Sequence, residues 1–329
     1  MREHEVVVPS AVNIAAVLCL PEDDEGPVPA VALIAGSGAD TRDGDLPLEA
    51  GGPSPAPGTM RRIAHHLAHA GVASLRWDRR GFGLSGGDRA TVGYDTDVED
   101  ALACFRWLQQ RPEIDAGRVA VAGHSAGALV ACRVCRDAAA DVAGAALLGA
   151  LSSPIEDMLR WNVGRVHRHW DEFTDDQRAW LVREMPRMLV RSQGIEQLLD
   201  GAARGEPVVR LEGHGVTVEM PTRRLRQDLQ TSYAEKMRHV RCPALVLHGG
   251  DDLNVPVEDA LRTYQVLRTA GNDDVELVIV PGLEHYFCPV SPDSARRVWE
   301  RISQEAIRRP MARQALDVIA RWAVRALRA

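Results

Sequence analysis

The stretch Arg118-Val-Ala-Val-Ala-Gly-His-Ser-Ala-Gly127 decides how the rest of the chain is interpreted. Its residues 119–122 form a short apolar run that is typical of a buried strand. Gly123-His-Ser-Ala-Gly127 then fits the G-x-S-x-G pattern, in which a serine occupies a sharp turn between a strand and a helix. Because the backbone of such a serine is strained, the positions two before and two after it approach each other and favour glycine. Residues 128–135 have a composition compatible with a helix, so the order of strand, turn and helix favours a nucleophile elbow over a chance match.

The chain has 329 residues, a formal net charge of −7 and six cysteines. This length allows one large α/β domain, or a core that carries an inserted smaller domain. The lysines and arginines are scattered rather than clustered, which argues against nucleic acid as a partner. The spacing of the cysteines does not suggest a disulfide framework, and we interpret Cys132 and Cys135 as small buried thiols on the helix that follows the elbow.

No apolar run reaches the length that a membrane-spanning helix needs. The N-terminus leads into a short strand-like run at residues 6–8 rather than into a long apolar segment. We therefore expect a soluble, cytoplasmic protein with no membrane partner.

Strands and helices alternate along most of the chain, which predicts an α/β fold with a mostly parallel sheet. The predicted strands are residues 4–8, 13–20, 30–35, 72–77, 119–122, 142–149, 243–248 and 275–280. The predicted helices are residues 59–70, 95–110, 128–135, 258–270 and 311–327. A charged, proline-rich linker at residues 23–29 and a long polar loop at residues 39–58 complete the first half.

Gly36-Ser-Gly38 follows the predicted strand at residues 30–35. Glycines at the carboxyl end of a strand allow backbone N–H groups to face a ligand, as an oxyanion hole requires. An ordinary glycine turn explains the same residues equally well, so both interpretations stay open from the residues alone.

Three histidines, His65, His66 and His69, lie on the predicted helix at residues 59–70. Two of them are four residues apart, but no glutamate stands between them as in the H-E-x-x-H motif. A solvated helix face is favoured over a metal site, and we expect no metal.

Residues 151–238 differ in character from the rest of the chain. They show no clear strand alternation, and their tryptophans, methionines and leucines lie in charged, helix-like segments. We predict a helical cap at residues 151–238, inserted into an α/β core formed by residues 1–150 and 239–329. Such a cap would cover the strand ends and shape an apolar pocket.

Two further polar positions follow late strands. Gly249-Gly-Asp-Asp-Leu-Asn-Val-Pro256 comes directly after the strand at residues 243–248, and His285 comes just beyond the last strand. The order serine, acid, histidine along the chain, each after a strand, is the arrangement expected of an α/β-hydrolase.

The chain as a whole resembles the α/β-hydrolase superfamily, and within it the bacterial serine esterases and acyl-hydrolases whose first loop carries a GSG sequence. The resemblance covers the chain from about residue 6 to residue 327 outside the cap. It rests on Gly36-Ser-Gly38 with Thr41-Arg-Asp-Gly44, Asp78-Arg-Arg-Gly-Phe-Gly-Leu-Ser85, the elbow, His248-Gly-Gly-Asp-Asp-Leu-Asn-Val-Pro256 and Gly282-Leu-Glu-His-Tyr-Phe287. These motifs are specific for the fold and say little about the substrate.

The resemblance implies a catalytic triad of Ser125, Asp252 and His285. Ser125 would be the nucleophile and His285 its general base, since a serine hydroxyl attacks poorly until an imidazole takes its proton. The family's HG-x-x-D-x-x-VP pattern makes Asp252 the orienting acid. Its neighbour Asp251 is the competitor, and the spacing favours Asp252.

The resemblance also implies an oxyanion hole formed by the backbone N–H groups of Ser37 and Ala126. The family often has His-Gly where this chain has Ala35-Gly36. This departure leaves the choice between Ser37 and Gly38 open. The long segment after His285, residues 286–310, resembles the variable post-histidine region of the family.

The resemblance implies a serine hydrolase that cleaves a carboxylic ester or thioester through an acyl-enzyme, with neither a cofactor nor a metal. The partner would be a small-molecule acyl substrate, and a homodimer is compatible with the sequence. Two alternatives remain, a peptidase or amidase of the same fold, and a non-hydrolytic enzyme such as a lyase, isomerase or cyclase, or a ligand-binding protein, built on it.

Overall fold

The computed structural model describes residues 1–22, 26–45, 58–230 and 232–328. The predicted linker at residues 23–29 and the predicted loop at residues 39–58 therefore lie partly outside the described residues, at residues 23–25 and 46–57. Within the parts that are described, no helix combines the length and the apolar character needed to cross a membrane.

Eight strands form one sheet in the order β1-β2-β4-β3-β5-β6-β9-β10. They are β1 (Arg2–Pro9), β2 (Asn13–Leu20), β3 (Val28–Ile34), β4 (Ala73–Trp77), β5 (Ile114–His124), β6 (Ala145–Leu148), β9 (Ala244–Gly249) and β10 (Val275–Val280). The pairs β1/β2 and β2/β4 are antiparallel, and the other five pairs are parallel. The predicted α/β class with a mostly parallel sheet is confirmed.

Helices cover both faces of this sheet. They are α1 (Thr59–His69), α2 (Tyr94–Gln109), α3 (Ala126–Asp137), α11 (Glu258–Thr269) and α13 (Arg313–Ala326). Along β5, Val119 and Val121 join the cluster that includes α2 and α3, while Ala120 and Ala122 join the cluster of α1 and α13. A strand buried on both faces needs no polar alternation, which is why the central strands are readable as continuous apolar runs.

The strand order reverses between β3 and β5. From β3 the chain first adds β4 on one side, and then returns to place β5 on the other side of β3. Open α/β sheets bind ligands outside the carboxyl ends of the strands at such a switch point. The loop after β3 and the turn after β5 carry Gly36-Ser-Gly38 and Ser125, so the topology brings these two sequence motifs together.

The segment between β6 and β9 is mostly helical. Its helices are α4 (Ile155–Asn162), α5 (Arg165–Arg168), α6 (Asp175–Glu184), α7 (Pro186–Gln193), α8 (Ile195–Ala203), α9 (Arg223–Leu229) and α10 (Tyr233–Met237). The helical character expected of residues 151–238 does not extend to β7 (Val208–Gly213) and β8 (Val216–Pro221), which pair as an antiparallel hairpin. Only the short run around Val209 and Leu211 alternates between buried and exposed, which is too little for a clear period-two signal.

The segment after His285 also contains a helix that the sequence did not reveal, α12 (Ser294–Ile302). Val298 and Ile302 of this helix pack with Leu181 and Leu189 of the segment between β6 and β9. Trp299 meets Trp180 edge-on, with ring centroids 5.4 Å apart. The post-histidine segment therefore packs against the segment between β6 and β9.

Replacing Ile302 by alanine should lower the free energy of unfolding by about 2–5 kcal/mol, because the side chain is fully buried and its removal leaves a cavity. Urea unfolding followed by circular dichroism measures this. Val182→Ala on α6, at a site that is 39% exposed, is the matched control and should change stability by less than about 0.5 kcal/mol. Equal effects of the two substitutions would contradict the packing of α12 against the segment between β6 and β9.

Candidate active site

Ser125 occupies the strained turn that the elbow motif predicts. Its backbone has φ 55° and ψ −125°, a conformation that few residues other than glycine adopt. A Cβ on Gly123 would lie 2.2 Å from the carbonyl oxygen of Gly127. A Cβ on Gly127 would lie 2.4 Å from the carbonyl oxygen of Ile34. Glycine is therefore required at both positions, and the turn holds Ser125 at the carboxyl end of β5.

Asp252 and His285 meet at the same edge of the sheet. The Nδ1 atom of His285 lies 2.6 Å from Oδ2 of Asp252. The other carboxylate oxygen, Oδ1, accepts the backbone N–H groups of Asn254 at 2.7 Å and Val255 at 2.9 Å. A Cβ on Gly249 would lie 2.4 Å from the carbonyl oxygen of Leu283, so the loop of the acid and the loop of the histidine touch.

Burial by itself would raise the pKa of Asp252. The charge of His285 and its hydrogen bond outweigh this effect and bring the pKa of Asp252 down to about 2. The carboxylate therefore stays ionised at any pH at which an enzyme normally works. An ionised carboxylate can only accept, so the Nδ1 atom of His285 carries the proton and Nε2 is left as the basic nitrogen.

Asp251 lies beside the pair but bonds elsewhere. Its Oδ2 accepts the backbone N–H of Gly282 at 2.7 Å, and its Oδ1 forms an ion pair with Arg297 at 2.9 Å. These contacts tie the acid loop to the base of the histidine loop and to α12. The structure thus places Asp252, and not Asp251, against His285.

His124, the residue before Ser125, contacts His285 in a way that the sequence did not reveal. Its Nε2 lies 2.9 Å from the carbonyl oxygen of His285, and the two imidazole rings are 4.7 Å apart. Complete burial, together with the nearby imidazole of His285, lowers the pKa of His124 to about 3. A neutral His124 thus donates to that carbonyl and holds the histidine loop. In the sequence, His124 is marked only by its place at the variable position before the serine of the G-x-S-x-G motif, which does not indicate this contact.

Ser37 and Ala126, whose backbone N–H groups were expected to form the oxyanion hole, line the same cavity as Ser125. Ala126 is the first residue of α3, so its N–H has no partner within the helix. Ser37 lies in a turn closed by the N–H of Ala39, which donates to the carbonyl of Gly36 at 3.3 Å. Gly38 takes φ 79° in this turn, a value that favours glycine. Among the described residues, neither the N–H of Ser37 nor that of Ala126 has a hydrogen-bond acceptor.

A cavity of about 310 Å³ joins these groups. Ser125, His285, Ser37 and Ala126 all line it. Its apolar wall comes from the segment between β6 and β9, mainly from Ile155, Met158, Leu159, Leu198, Met220 and Leu225. A second part of the wall is polar and includes Asn162, Asn254 and Tyr286. The cavity therefore offers both an apolar and a hydrogen-bonding surface to a small molecule.

A chain of alternating charges borders the cavity on the side of β3. Arg79 bonds Asp40 at 3.0 Å and Asp97 at 2.8 Å. Arg224 of α9 bonds Asp97 at 2.7 Å and Asp228 at 3.0 Å. Each charge has an opposite charge beside it, and the chain fastens α9 to the core at α2. These residues are far apart in sequence, so no local pattern indicates the network.

The three histidines of α1 lie away from this cavity. His65 contacts Glu3 at 2.8 Å, and His66 contacts Asp317 at 2.8 Å. The Nδ1 atom of His69 lies 2.6 Å from the carbonyl oxygen of His65, on the same helix. Across the described ranges, no group of three or more histidine, cysteine or acidic side chains is arranged to hold a metal ion.

Replacing Gly123 by alanine should prevent the elbow from closing, since the new Cβ would overlap the backbone of Gly127. We expect a large loss of stability in a thermal melt, and little or no soluble protein on expression. Gly117→Ala on the same strand is the matched control, because its Cβ would meet nothing closer than Asp115 Oδ1 at 3.5 Å. A Gly123→Ala protein as stable as Gly117→Ala would contradict the tight turn.

Comparison with known proteins places the chain in a family. The model of the family described as Serine aminopeptidase, S33, matches residues 56–288. Esterase EstD from Thermotoga maritima is 24% identical over 304 residues, which cover 91% of this chain and 63% of EstD, so the chain spans less than two thirds of that relative.

Solved esterase structures share the fold. Est1E from Butyrivibrio proteoclasticus, determined with ferulic acid bound, is 16% identical with a TM-score of 0.58, covering 92% of this chain and 98% of Est1E. The Pyrococcus furiosus esterase Pf2001 is 17% identical with a TM-score of 0.58, covering 99% of this chain and 92% of Pf2001. The likeness confirms the α/β-hydrolase fold, and because the family model matches well over half of the sequence, this chain belongs to the serine aminopeptidase S33 family of the α/β-hydrolase superfamily.

Proposed function

We propose that the protein hydrolyses a carboxylic ester or thioester of a small molecule through an acyl-enzyme formed on Ser125. The observation that carries this proposal is the buried Asp252–His285 pair, whose histidine lines the same cavity as Ser125, Ser37 and Ala126. The esterase EstD and the esterase structures described above support ester chemistry.

In the first half of the reaction, Oγ of Ser125 attacks the substrate carbonyl and its proton passes to Nε2 of His285. Asp252 holds the Nδ1–H of His285 and stabilises the imidazolium that forms. The tetrahedral intermediate then collapses, the bond to the alcohol or thiol breaks, and His285 returns the proton to that leaving group. Water repeats the same steps on the acyl-enzyme and releases the acid.

The negative oxygen of the tetrahedral intermediate would lie against the N–H groups of Ser37 and Ala126. Both donors belong to backbone that is fixed by close packing, so they need no reorganisation when the charge develops. The removal of one such donor typically lowers the rate by about 10²–10³-fold. The N-terminus of α3 adds its partial positive charge at the same place.

The segment at residues 151–238 would act as the cap of this site. Its leucines and methionines supply most of the apolar wall of the cavity, where they shield the intermediate from bulk water and accommodate an acyl chain. We assign the small-molecule substrate to this cavity, with no metal or organic cofactor in the reaction.

The name of the family makes aminopeptidase activity the second candidate. A free amino terminus is a cation and needs an acidic partner in the site. Asp228 is the only carboxylate among the described residues that line the cavity, and it is already paired with Arg224 at 3.0 Å and Lys236 at 3.4 Å. The cavity thus favours a neutral ester over a peptide amino terminus.

Incubation with a fluorophosphonate should add one phosphonyl group to the parent protein, because an activated serine displaces fluoride from phosphorus. Intact-protein mass spectrometry measures the adduct. Ser125→Ala should give no adduct while it retains the circular dichroism spectrum of the parent protein. An adduct on the Ser125→Ala protein would place the nucleophile elsewhere, and a folded parent protein without any adduct would refute the acyl-enzyme mechanism.

The two neighbouring aspartates should differ sharply when each is replaced by asparagine. We expect Asp252→Asn to lower kcat for 4-nitrophenyl butyrate by about 10²–10⁴-fold, because the amide favours the wrong tautomer of His285. Asp251→Asn should stay within about fivefold of the parent, since its ion pair with Arg297 is partly exposed. A larger loss in Asp251→Asn than in Asp252→Asn would reverse the assignment of the acid.

A further inference from the structure

Arg165 is a buried cation whose hydrogen-bond acceptors in the described residues are all neutral. Only 8% of its surface is exposed, and across the described ranges it forms no ion pair. Its Nη1 donates to Oδ1 of Asn162 at 2.9 Å, to Oδ1 of Asn254 at 2.8 Å and to the carbonyl of Leu253 at 3.3 Å, while its Nε has no partner. Burying a charge against neutral acceptors alone is costly, so this arrangement calls for an explanation beyond packing.

The arginine fixes the orientation of two amides. A guanidinium can only donate, so the side-chain oxygens of Asn162 and Asn254 must point toward Arg165. Arg301 adds a second constraint, because its Nε donates to the same Oδ1 of Asn254 at 2.9 Å. The NH₂ groups of both amides are therefore turned away from the two arginines.

These NH₂ groups belong to residues of the cavity wall. Asn162 and Asn254 both line it. In the described parts of the chain, neither Nδ2 atom has a hydrogen-bond acceptor, and neither belongs to the buried polar atoms that lack a partner. Each NH₂ group is thus open to a molecule in the cavity, and it can only donate.

The position of Asn254 identifies which part of a substrate it would contact. Its own N–H donates to Asp252, the partner of His285, at 2.7 Å. In the mechanism proposed above, His285 passes its proton to the oxygen of the departing alcohol, so the alcohol part of an ester lies on this side of Ser125. The acyl part would then lie against the apolar wall of the cavity.

We propose that Asn162 and Asn254 select esters whose alcohol part carries a hydrogen-bond-accepting oxygen, such as an ether, hydroxyl or carbonyl group. This inference rests on the ester hydrolysis proposed above and names the substrate class for the same site. The two arginine charges behind the amides strengthen the donors toward an electron-rich oxygen. An alkyl alcohol would instead cover the two donors without offering an acceptor, which lowers its transition-state binding.

Butyl butyrate and 2-methoxyethyl butyrate form a matched pair of probes. They share the acyl group and the length of the alcohol, and differ in one CH₂ group that is replaced by an ether oxygen. The ether oxygen also makes the alcohol a better leaving group. The ratio of kcat/KM for 2-methoxyethyl butyrate to that for butyl butyrate is therefore divided by the ratio of their hydroxide-catalysed hydrolysis rates. We expect this corrected ratio to favour 2-methoxyethyl butyrate by about fivefold to tenfold.

Asn254→Asp and Asn162→Asp test the loss of the NH₂ donor without changing the size of the side chain. Each variant keeps Oδ1 as an acceptor for the arginines and replaces the NH₂ group by an oxygen that cannot donate. The corrected ratio should fall to about one in Asn254→Asp. In Asn162→Asp it should fall to a value between one and that of the parent protein, or to one. A merely structural defect would slow both esters to the same extent and leave the ratio unchanged.

Leu225→Ala, in the apolar wall, is the control variant. It should change kcat/KM for both esters by the same factor, since the two esters carry the same butyryl group. A corrected ratio near one in the parent protein, or a preference retained in both aspartate variants, would overturn the inference while ester hydrolysis itself stands. Failure to hydrolyse either ester, combined with the absence of a fluorophosphonate adduct, would overturn the proposed function and this inference together.

Discussion

The candidate site depends on one steric constraint, the approach of the backbone at Gly123 to the carbonyl of Gly127. This contact forces the backbone of Ser125 into its strained conformation and starts α3 at the next residue, which leaves the N–H of Ala126 unpaired. Gly127 in turn touches the end of β3, so the loop that carries Ser37 has to pass beside the serine. Two residues without side chains thus set the position of the serine and of both neighbouring N–H groups.

The segment between β6 and β9 is attached to the rest of the chain by different physical interactions at α12 and at α2. On the side of α12 the contact is apolar, formed by Ile302, Trp299 and the side chains around them. On the side of α2 it is ionic, with Arg224 of α9 bridging Asp97 and Asp228. Burial by itself would lower the pKa of Arg79, yet the carboxylates of Asp97 and Asp40 raise it, so the guanidinium of Arg79 stays charged. Salt screens partly exposed ion pairs but not apolar contacts, which makes the α9 side the one that ionic strength can loosen.

The sequence predicted the core of the fold because the information there is local. The apolar runs, the glycines of the elbow and the order of Ser125, Asp252 and His285 are each visible within a few residues, and the observed strands follow them closely. The hairpin of β7 and β8 and the helix α12 were missed, since their short amphipathic patterns become distinct only when they pack on other elements. The contacts of His124 with the loop of His285, and of Arg165 with Asn254, join residues 161 and 89 positions apart. No local pattern encodes contacts of that kind.

The apolar and the polar parts of the cavity wall differ in how freely their residues can be substituted. The apolar wall of the cavity can change shape by substituting one leucine or methionine for another, at little cost to the fold. The polar wall cannot change so freely, because Arg165 orients the amides of Asn162 and Asn254, and Arg301 also donates to the amide oxygen of Asn254. Replacing Arg165 by an apolar residue would relieve a buried charge, and in other proteins such replacements often stabilise the fold. Keeping the charge of Arg165 therefore costs stability at that position. In this structure the same charge orients the two amide donors.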